Sequence, residues 1–91
     1  MSEGEAETWQ RLDVFLFFAR FCKTRAVAGA LIEKGSVRIN RLPTVKPHAR
    51  LRPDDVLTLA LPNRVLVVRI VALAKRRGSA IQARGLYEEI V

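Results

Sequence analysis

The hydrophobic residues near the start of the chain recur with the period of an α-helix. In residues 11–22 they stand at i, i+3, i+4 and i+7, and no glycine or proline interrupts them. Thr24 is a suitable N-cap for a second helix over residues 25–34, and Gly35 follows where a left-handed residue would end it. The pattern predicts a helical hairpin. The side chains expected on the buried face of the second helix are Ala26, Val27, Ala30 and Leu31.

After residue 35 the hydrophobic period changes to the alternation of β-strands. The predicted strands are residues 37–40, 56–61 and 65–73, with turns at 53–55 and 62–64. Residues 41–53 hold three prolines and no clear period, which indicates a loop with a short extended piece at 44–45. Residues 80–91 fit either a short helix or an irregular tail. The pattern as a whole predicts an α+β fold in which a two-helix hairpin packs on a small, mostly antiparallel sheet.

The composition limits the class of protein. A chain of 91 residues with 49% hydrophobic residues suits one domain with a modest core. We expect a flexible acidic leader in residues 1–10, the folded domain in 11–75 and a C-terminal extension in 76–91. Cys22 is the only cysteine, so an intrachain disulfide is excluded. The acidic start is unlike a secretory signal, and the longest apolar run, residues 14–19, is far too short to cross a membrane. The expected protein is a cytoplasmic monomer with no membrane partner.

Positive charge is concentrated in one third of the chain. Residues 20–52 carry nine arginines or lysines and one carboxylate, Glu33, which gives +8 in a chain whose total is +7. Like charges that are not interspersed with opposite ones repel each other and weaken the compact state. Such a concentration favours a polyanionic partner, most commonly a nucleic acid. A basic surface kept for solubility, or one that docks an acidic protein, is the alternative.

Three of these cations, Arg20, Lys23 and Arg25, flank the predicted start of the second helix. Cations are unfavourable there because the helix dipole presents its positive end. A phosphate bound there would be held by the helix N–H groups and the cations together, which would explain why cations occupy this unfavourable position.

The phenylalanine side chains are expected in the core and not as stacking platforms for bases. They are Phe15, Phe17, Phe18 and Phe21, and they recur at helical spacing.

The residues with catalytic potential are isolated. His48 is the only histidine, and no second His, Cys or acidic cluster offers metal-ligand spacing. Arg20 and Lys23 could lower the pKa of Cys22, but no histidine partner stands at a suitable spacing, so a buried thiol is the better interpretation. Asp54 and Asp55 are explained by a turn. We therefore expect no enzyme activity, no metal and no cofactor.

An ordered set of short motifs resembles the RNA-binding domain named after small-subunit ribosomal protein S-four. The matching runs are Arg11-Leu12-Asp13, Lys23-Thr24-Arg25-Ala26, Ile32 to Asn40, Lys46-Pro47 and Asp54 to Leu59. Within that superfamily the chain is similar to the bacterial ribosome-associated heat-shock protein fifteen family. That similarity rests on Ala19-Arg20-Phe21 before Lys23, and on Arg76-Arg77 followed by Leu86-Tyr87-Glu88-Glu89.

The resemblance implies the alpha-L RNA-binding motif and a role without catalysis. The implied partner is structured RNA, namely ribosomal RNA of the large subunit, in a heat-shock-linked rescue or recycling of stalled ribosomal subunits; transfer RNA is the alternative. The RNA-binding residues that it implies are Arg11, Arg20, Lys23, Thr24, Arg25, Lys34, Arg38 and Lys46. The charge pattern adds Asn40, Arg41 and Arg50. Asp13 is expected to orient a neighbouring cation or to cap the first turn of the helix, and not to contact RNA.

Two departures from the family pattern stand out. The family places glycine after the strand-ending asparagine, whereas Arg41 follows Asn40 here, so the turn must differ or tolerate a larger residue. The heat-shock family also continues into a long basic tail, and we expect the contacts of that tail to be absent or shortened in this chain.

Overall fold

The structure is a computed structural model that describes residues 8–90. Within that range it has three helices and seven strands. The helices are α1 (Leu12–Phe18), α2 (Arg25–Glu33) and α3 (Ala80–Arg84). The strands are β1 (Gln10–Arg11), β2 (Val37–Ile39), β3 (Leu42–Pro43), β4 (Arg50–Leu51), β5 (Val56–Leu61), β6 (Arg64–Ile70) and β7 (Tyr87–Glu89).

Five strands form one antiparallel sheet in the order β3-β2-β5-β6-β7. The β5–β6 hairpin is its longest ladder and runs from Val56 opposite Arg69 to Leu61 opposite Arg64. β1 and β4 form a separate two-stranded sheet. α1 and α2 pack on each other and contribute to the same core as the large sheet. The predicted α+β fold, a helical hairpin on a mostly antiparallel sheet, is confirmed.

Strand alternation gives the large sheet one buried and one outer face. The fully buried strand residues are Val37, Leu57, Leu59, Val68 and Ile70. α1 covers this face with Leu12, Phe15 and Leu16, which are also fully buried. Each such side chain contributes about 1.5–3 kcal/mol. Burial of these side chains therefore holds α1 against the rest of the core.

α1 ends four residues earlier than predicted. The N–H of Phe21 donates to the Leu16 carbonyl (3.0 Å) and that of Arg20 to the Phe17 carbonyl (3.1 Å). These bonds form a Schellman motif, in which Arg20 takes the left-handed position with a φ of 65°. Glycine usually occupies that position, so an arginine there gives no sequence signal for the end of the helix.

α2 has the predicted cap residues and a different buried face. The Thr24 hydroxyl accepts from the Val27 N–H (3.0 Å), and Gly35 ends the helix with a φ of 88°. The helix buries Ala28 and Ile32. The prediction was wrong for Ala26, Val27 and Ala30, which are exposed, while Leu31 is half-buried. Apolar residues occur all round this helix, so the period alone could not select the packed side.

Several strand limits differ from the prediction. β2 stops at Ile39, β6 spans Arg64–Ile70, and the extended piece of the loop lies at Leu42–Pro43. β1 and β4 were not predicted, because two-residue strands carry no periodic signal. Gln10 belongs to β1, so the last residue of the predicted leader is part of the fold. Residues 1–7 of that leader lie outside the described residues.

The ambiguous C-terminal segment forms a helix and a strand. Ser79 and Gln82 close a capping box at the start of α3. β7 then pairs with β6 and forms an edge of the large sheet. The Tyr87 ring packs against Phe21, with 4.7 Å between ring centroids. The extension at 76–91 thus contributes to the same sheet as residues 11–75; their separation into two units remains a prediction.

The turn between β2 and β3 tolerates arginine where glycine was expected. Ile39 pairs with Leu42, which leaves Asn40 and Arg41 as a two-residue loop with φ values of 51° and 72°. Positive φ at both positions is the type I′ geometry. Asparagine adopts this region readily, whereas arginine pays about 1–2 kcal/mol in steric strain.

Replacing Arg41 with glycine is therefore expected to stabilise the domain by about 0.5–1 kcal/mol, since the relieved strain exceeds the entropy that glycine loses on folding. Urea unfolding would measure the gain as a higher midpoint at unchanged slope. Arg41→Ala is the control because it removes the same cation and keeps the strain. If Arg41→Gly were no more stable than Arg41→Ala, the relief of strain would not exceed the entropy cost of glycine, and the prediction would be wrong.

Candidate nucleic-acid interface

A buried carboxylate lies at the centre of the basic surface. Asp13 is in the first turn of α1, where the helix dipole favours a negative charge, and it is only 6% exposed. The Arg11 guanidinium donates two hydrogen bonds to it, from Nε to Oδ1 and from Nη2 to Oδ2, both at 3.0 Å. Arg25 Nη2 lies 3.6 Å from the same Oδ2. The expectation that Asp13 orients a cation is confirmed, and it applies to two arginines.

Long-range pairing brings two further predicted residues to the start of α1. Arg50 on β4 is the cross-strand partner of Arg11 on β1. The N–H of Asp13 donates to the Pro47 carbonyl (3.0 Å), which holds the loop that carries Lys46 against the start of α1. We call Asp13, its two ion-pair partners Arg11 and Arg25, and the neighbouring Lys46 and Arg50 the Asp13 cluster.

The connection between α1 and α2 supplies a second group of exposed residues. Lys23 and Thr24 immediately precede α2, and Arg20 precedes them at the end of α1. The Arg20 Nε donates to the Gly78 carbonyl (2.8 Å), so this side chain also ties the connection to the basic loop 75–79. Seven of the eleven predicted residues thus belong to the Asp13 cluster or to the connection beside it.

The other four predicted residues lie elsewhere. Lys34 follows the opposite end of α2, about 14 Å from Arg25 at 1.5 Å per residue. Arg38 lies on the outer face of the sheet, and Arg41 on the adjacent turn. The Asn40 side chain is engaged within the protein: its Nδ2 donates to Asp55 Oδ1 (3.0 Å) and its Oδ1 accepts from the Val56 N–H (2.8 Å).

Sequence reasoning missed the role of the basic loop 75–79. Arg77 lies over the Phe17 ring, 4.8 Å from its centroid. Its Nε donates to the Phe17 carbonyl (3.0 Å), which satisfies an end group of α1. Lys75 and Arg76 are exposed beside it. The basic run was visible in the sequence, but nothing there indicated that it meets the end of α1.

The basic surface keeps most of its charge unopposed. Among residues 8–90, the predicted cations that form ion pairs are Arg11 and Arg25, both with Asp13. Two carboxylates, Asp54 and Glu88, instead pair with Arg69 on the outer face of the sheet, at 2.7 and 3.1 Å. Unpaired, exposed cations on a rigid frame suit a polyanion with regularly spaced charges.

The candidate nucleophile is unsuited to reaction. Cys22 is buried, and this burial raises the pKa of its thiol above the ordinary value. The direction is opposite to the lowering by Arg20 and Lys23 that the sequence allowed. In the part of the chain that the structure describes, no three His, Cys, Asp or Glu side chains are grouped to hold a metal. No helix between residues 8 and 90 is both long and apolar enough to cross a membrane.

Comparison with known proteins agrees with the fold. Residues 10–57 match the family model of the S4 domain. The heat shock protein 15 homolog of Haemophilus influenzae is 38% identical over 84 residues, which cover 92% of this chain and 63% of that protein. Heat shock protein 15 of Escherichia coli K12 is 40% identical over 79 residues, 87% of this chain and 59% of that protein. The chain thus spans about three fifths of these relatives.

Two other relatives match over most of their own length. The RQC P-site tRNA stabilizing factor of Streptococcus pneumoniae is 30% identical over 80 residues, 88% of this chain and 89% of that protein. A solved structure of heat shock protein 15 from Vibrio cholerae, described as trimeric, superposes with a TM-score of 0.84 and 32% identity, over 90% of this chain and 82% of that one. The chain therefore belongs to the S4 domain family, among relatives that include heat shock protein 15.

Proposed function

We propose that this protein binds structured RNA, namely ribosomal RNA of the large subunit, in a heat-shock-linked rescue or recycling of stalled ribosomal subunits. In this proposal it acts without catalysis, in the cytoplasm and as a monomer. The S4 domain match and the relatives named heat shock protein 15 support the RNA partner and the heat-shock link. The solved V. cholerae relative is described as trimeric, so the monomer rests on the net charge of +7, which disfavours self-association.

The Asp13 cluster is the observation that carries the proposal. A carboxylate that points into the protein holds Arg11 and Arg25 in place while their side chains remain 46% and 53% exposed. Side chains that are ordered before binding lose less entropy when a phosphate arrives. An arginine kept only for solubility needs no such support. The cluster thus has the features of a preformed phosphate site.

Transfer RNA is the second candidate ligand. The chain covers 89% of the S. pneumoniae protein, whose name refers to a P-site tRNA. A domain that recognises the backbone of a folded RNA stem would accept either ligand, because phosphate contacts position a protein without reading bases.

Equilibrium binding across a salt series tests the proposal. A ribosomal RNA hairpin, a transfer RNA and a DNA duplex of equal charge would be titrated in parallel. We expect log K to fall against log salt with a slope of about −4 to −6, equivalent to five to seven phosphate contacts. Folded RNA should bind more tightly than the DNA duplex, since A-form geometry and 2′-hydroxyls differ from B-form DNA.

A shallow slope, or equal binding to RNA and DNA, would contradict the proposal. The basic surface would then act through non-specific attraction, and an acidic protein would become the better candidate partner. Tighter binding of transfer RNA than of the ribosomal hairpin would favour the second ligand within the same function.

A further inference from the structure

Trp9 is an exposed aromatic residue beside the Asp13 cluster. It directly precedes β1 and is 38% exposed, whereas Phe15 is fully buried and Tyr87 is half-buried. Exposing the surface of an aromatic ring to water is less favourable than burying it. Trp9 therefore presents part of its ring to solvent beside Arg11 and lies outside the core.

The ring of Trp9 is already paired with a cation of the cluster. The Arg50 guanidinium lies 4.4 Å from the ring centroid, a cation–π distance. This contact restricts the conformations of both side chains. A groove of about 360 Å³ opens beside Trp9 and is lined by Thr8, Gln10, Arg11 and Val14. An aromatic plane, a groove and two arginines thus lie together at the edge of the basic surface.

This combination suits an unstacked nucleobase with its phosphate. A base stacks on an aromatic face whatever its sequence, and the neighbouring arginines can bind the phosphate of the same nucleotide. A purely anionic ligand, such as an acidic peptide, would use the cations and gain nothing from the exposed part of the ring. We propose that Trp9 is a stacking platform for an unpaired base of the RNA, a step that rests on the proposed function above.

The proposal specifies the class of RNA. Bases inside a continuous A-form helix are stacked on one another and present only their edges, so they cannot reach the ring. A loop or a bulge provides a base that can leave the stack. The protein should therefore prefer a stem that carries unpaired bases over a fully paired stem with the same number of phosphates.

Trp9 is the only tryptophan, so its fluorescence reports on this position alone. The full chain would be titrated with a stem closed by a loop of unpaired bases and with a blunt, fully paired RNA duplex of equal charge. Stacking predicts strong quenching by the looped stem and little by the duplex. Equal quenching by both RNAs, or none by either while both bind, would overturn the proposal and leave RNA binding intact. Failure of both RNAs to bind would remove the proposed function as well.

Two substitutions separate stacking from a structural role. Trp9→Leu keeps an apolar side chain and removes the aromatic face; it should weaken binding of the looped stem about tenfold and leave duplex binding nearly unchanged. Trp9→Phe keeps an aromatic face and should retain most of the affinity. Thermal unfolding of both variants would show whether the fold is kept. Equal losses for both variants, or a loss by Trp9→Leu on both RNAs, would assign Trp9 to packing only.

Discussion

Replacement of Arg25 with glutamate is expected to weaken RNA binding about tenfold to a hundredfold while the domain stays folded. Arg25 is the first residue of α2 and its side chain is 53% exposed. A hydrogen bond to a charged group contributes about 1.5–3 kcal/mol, which corresponds to this range of affinity. Glutamate is favourable at a helix N-terminus, so the substitution does not break α2. Asp13 is buried but keeps both hydrogen bonds from Arg11, so the loss of its half-exposed partner Arg25 should cost only about 1 kcal/mol.

The measurement is RNA affinity as a function of salt for this variant and a matched control. Arg64→Glu makes the same change of net charge at the exposed start of β6, on the hairpin that does not contribute to the Asp13 cluster. For Arg25→Glu we expect a lower affinity and a salt slope shallower by about one contact. The control should change the affinity only slightly. A similar loss in both variants would show that total charge, not the helix corner, governs binding.

Replacement of Asp13 with asparagine should weaken RNA binding even though it raises the net charge from +7 to +8. Electrostatic attraction alone predicts the opposite sign. The carboxylate orients Arg11 and Arg25 through both of its oxygens. In asparagine one of these oxygens is replaced by an NH2 group, which cannot accept a hydrogen bond, and the negative charge that attracts both guanidinium groups is lost. Two arginines that must be ordered on binding cost about 0.5–1.5 kcal/mol each, so we expect roughly a tenfold loss. Stability should fall by about 1–2 kcal/mol, less than for a fully buried pair because both arginines are half exposed.

Glu33→Gln is the control for this prediction. It removes one negative charge from the exposed surface of α2, and Glu33 forms no ion pair within the described residues. RNA binding should become slightly tighter, as electrostatics requires. Urea unfolding would establish the fraction of each variant that is folded under the binding conditions. If Asp13→Asn also tightened binding, the orienting role of the carboxylate would be wrong.

Arg41, Arg25 and Trp9 share a feature that connects these predictions. Arg41 occupies a turn position that favours glycine, Arg25 occupies a helix end that favours an anion, and Trp9 exposes an apolar ring. Each choice opposes local stability. Arg25 belongs to the Asp13 cluster and Trp9 contacts it through Arg50, which is expected when residues are placed for a ligand, whereas Arg41 lies on a turn away from the cluster.

The sequence by itself determined the features that depend on near neighbours. The helical period, the Thr24 cap and Gly35 fixed α2, and alternation fixed β5 to the residue, because these signals act over a few positions. The concentration of charge in residues 20–52 is also a property of the sequence, and it suggested a polyanionic partner before any contact was known. The resemblance of its short motifs to the S4 domain also lies within the sequence, and it implied the fold.

Only the tertiary structure decided which of the basic residues meet. The pairing of Arg11 with Arg50 and the bond from Arg77 to Phe17, 60 positions away, join segments that have no local signal for each other. The early end of α1 also follows from packing, because tertiary contacts hold Arg20 in the left-handed region that arginine rarely adopts. Packing likewise selected the buried side of α2, because apolar residues occur all round that helix. Long-range burial of apolar surface outweighs these local preferences, and so it set the geometry of the Asp13 cluster.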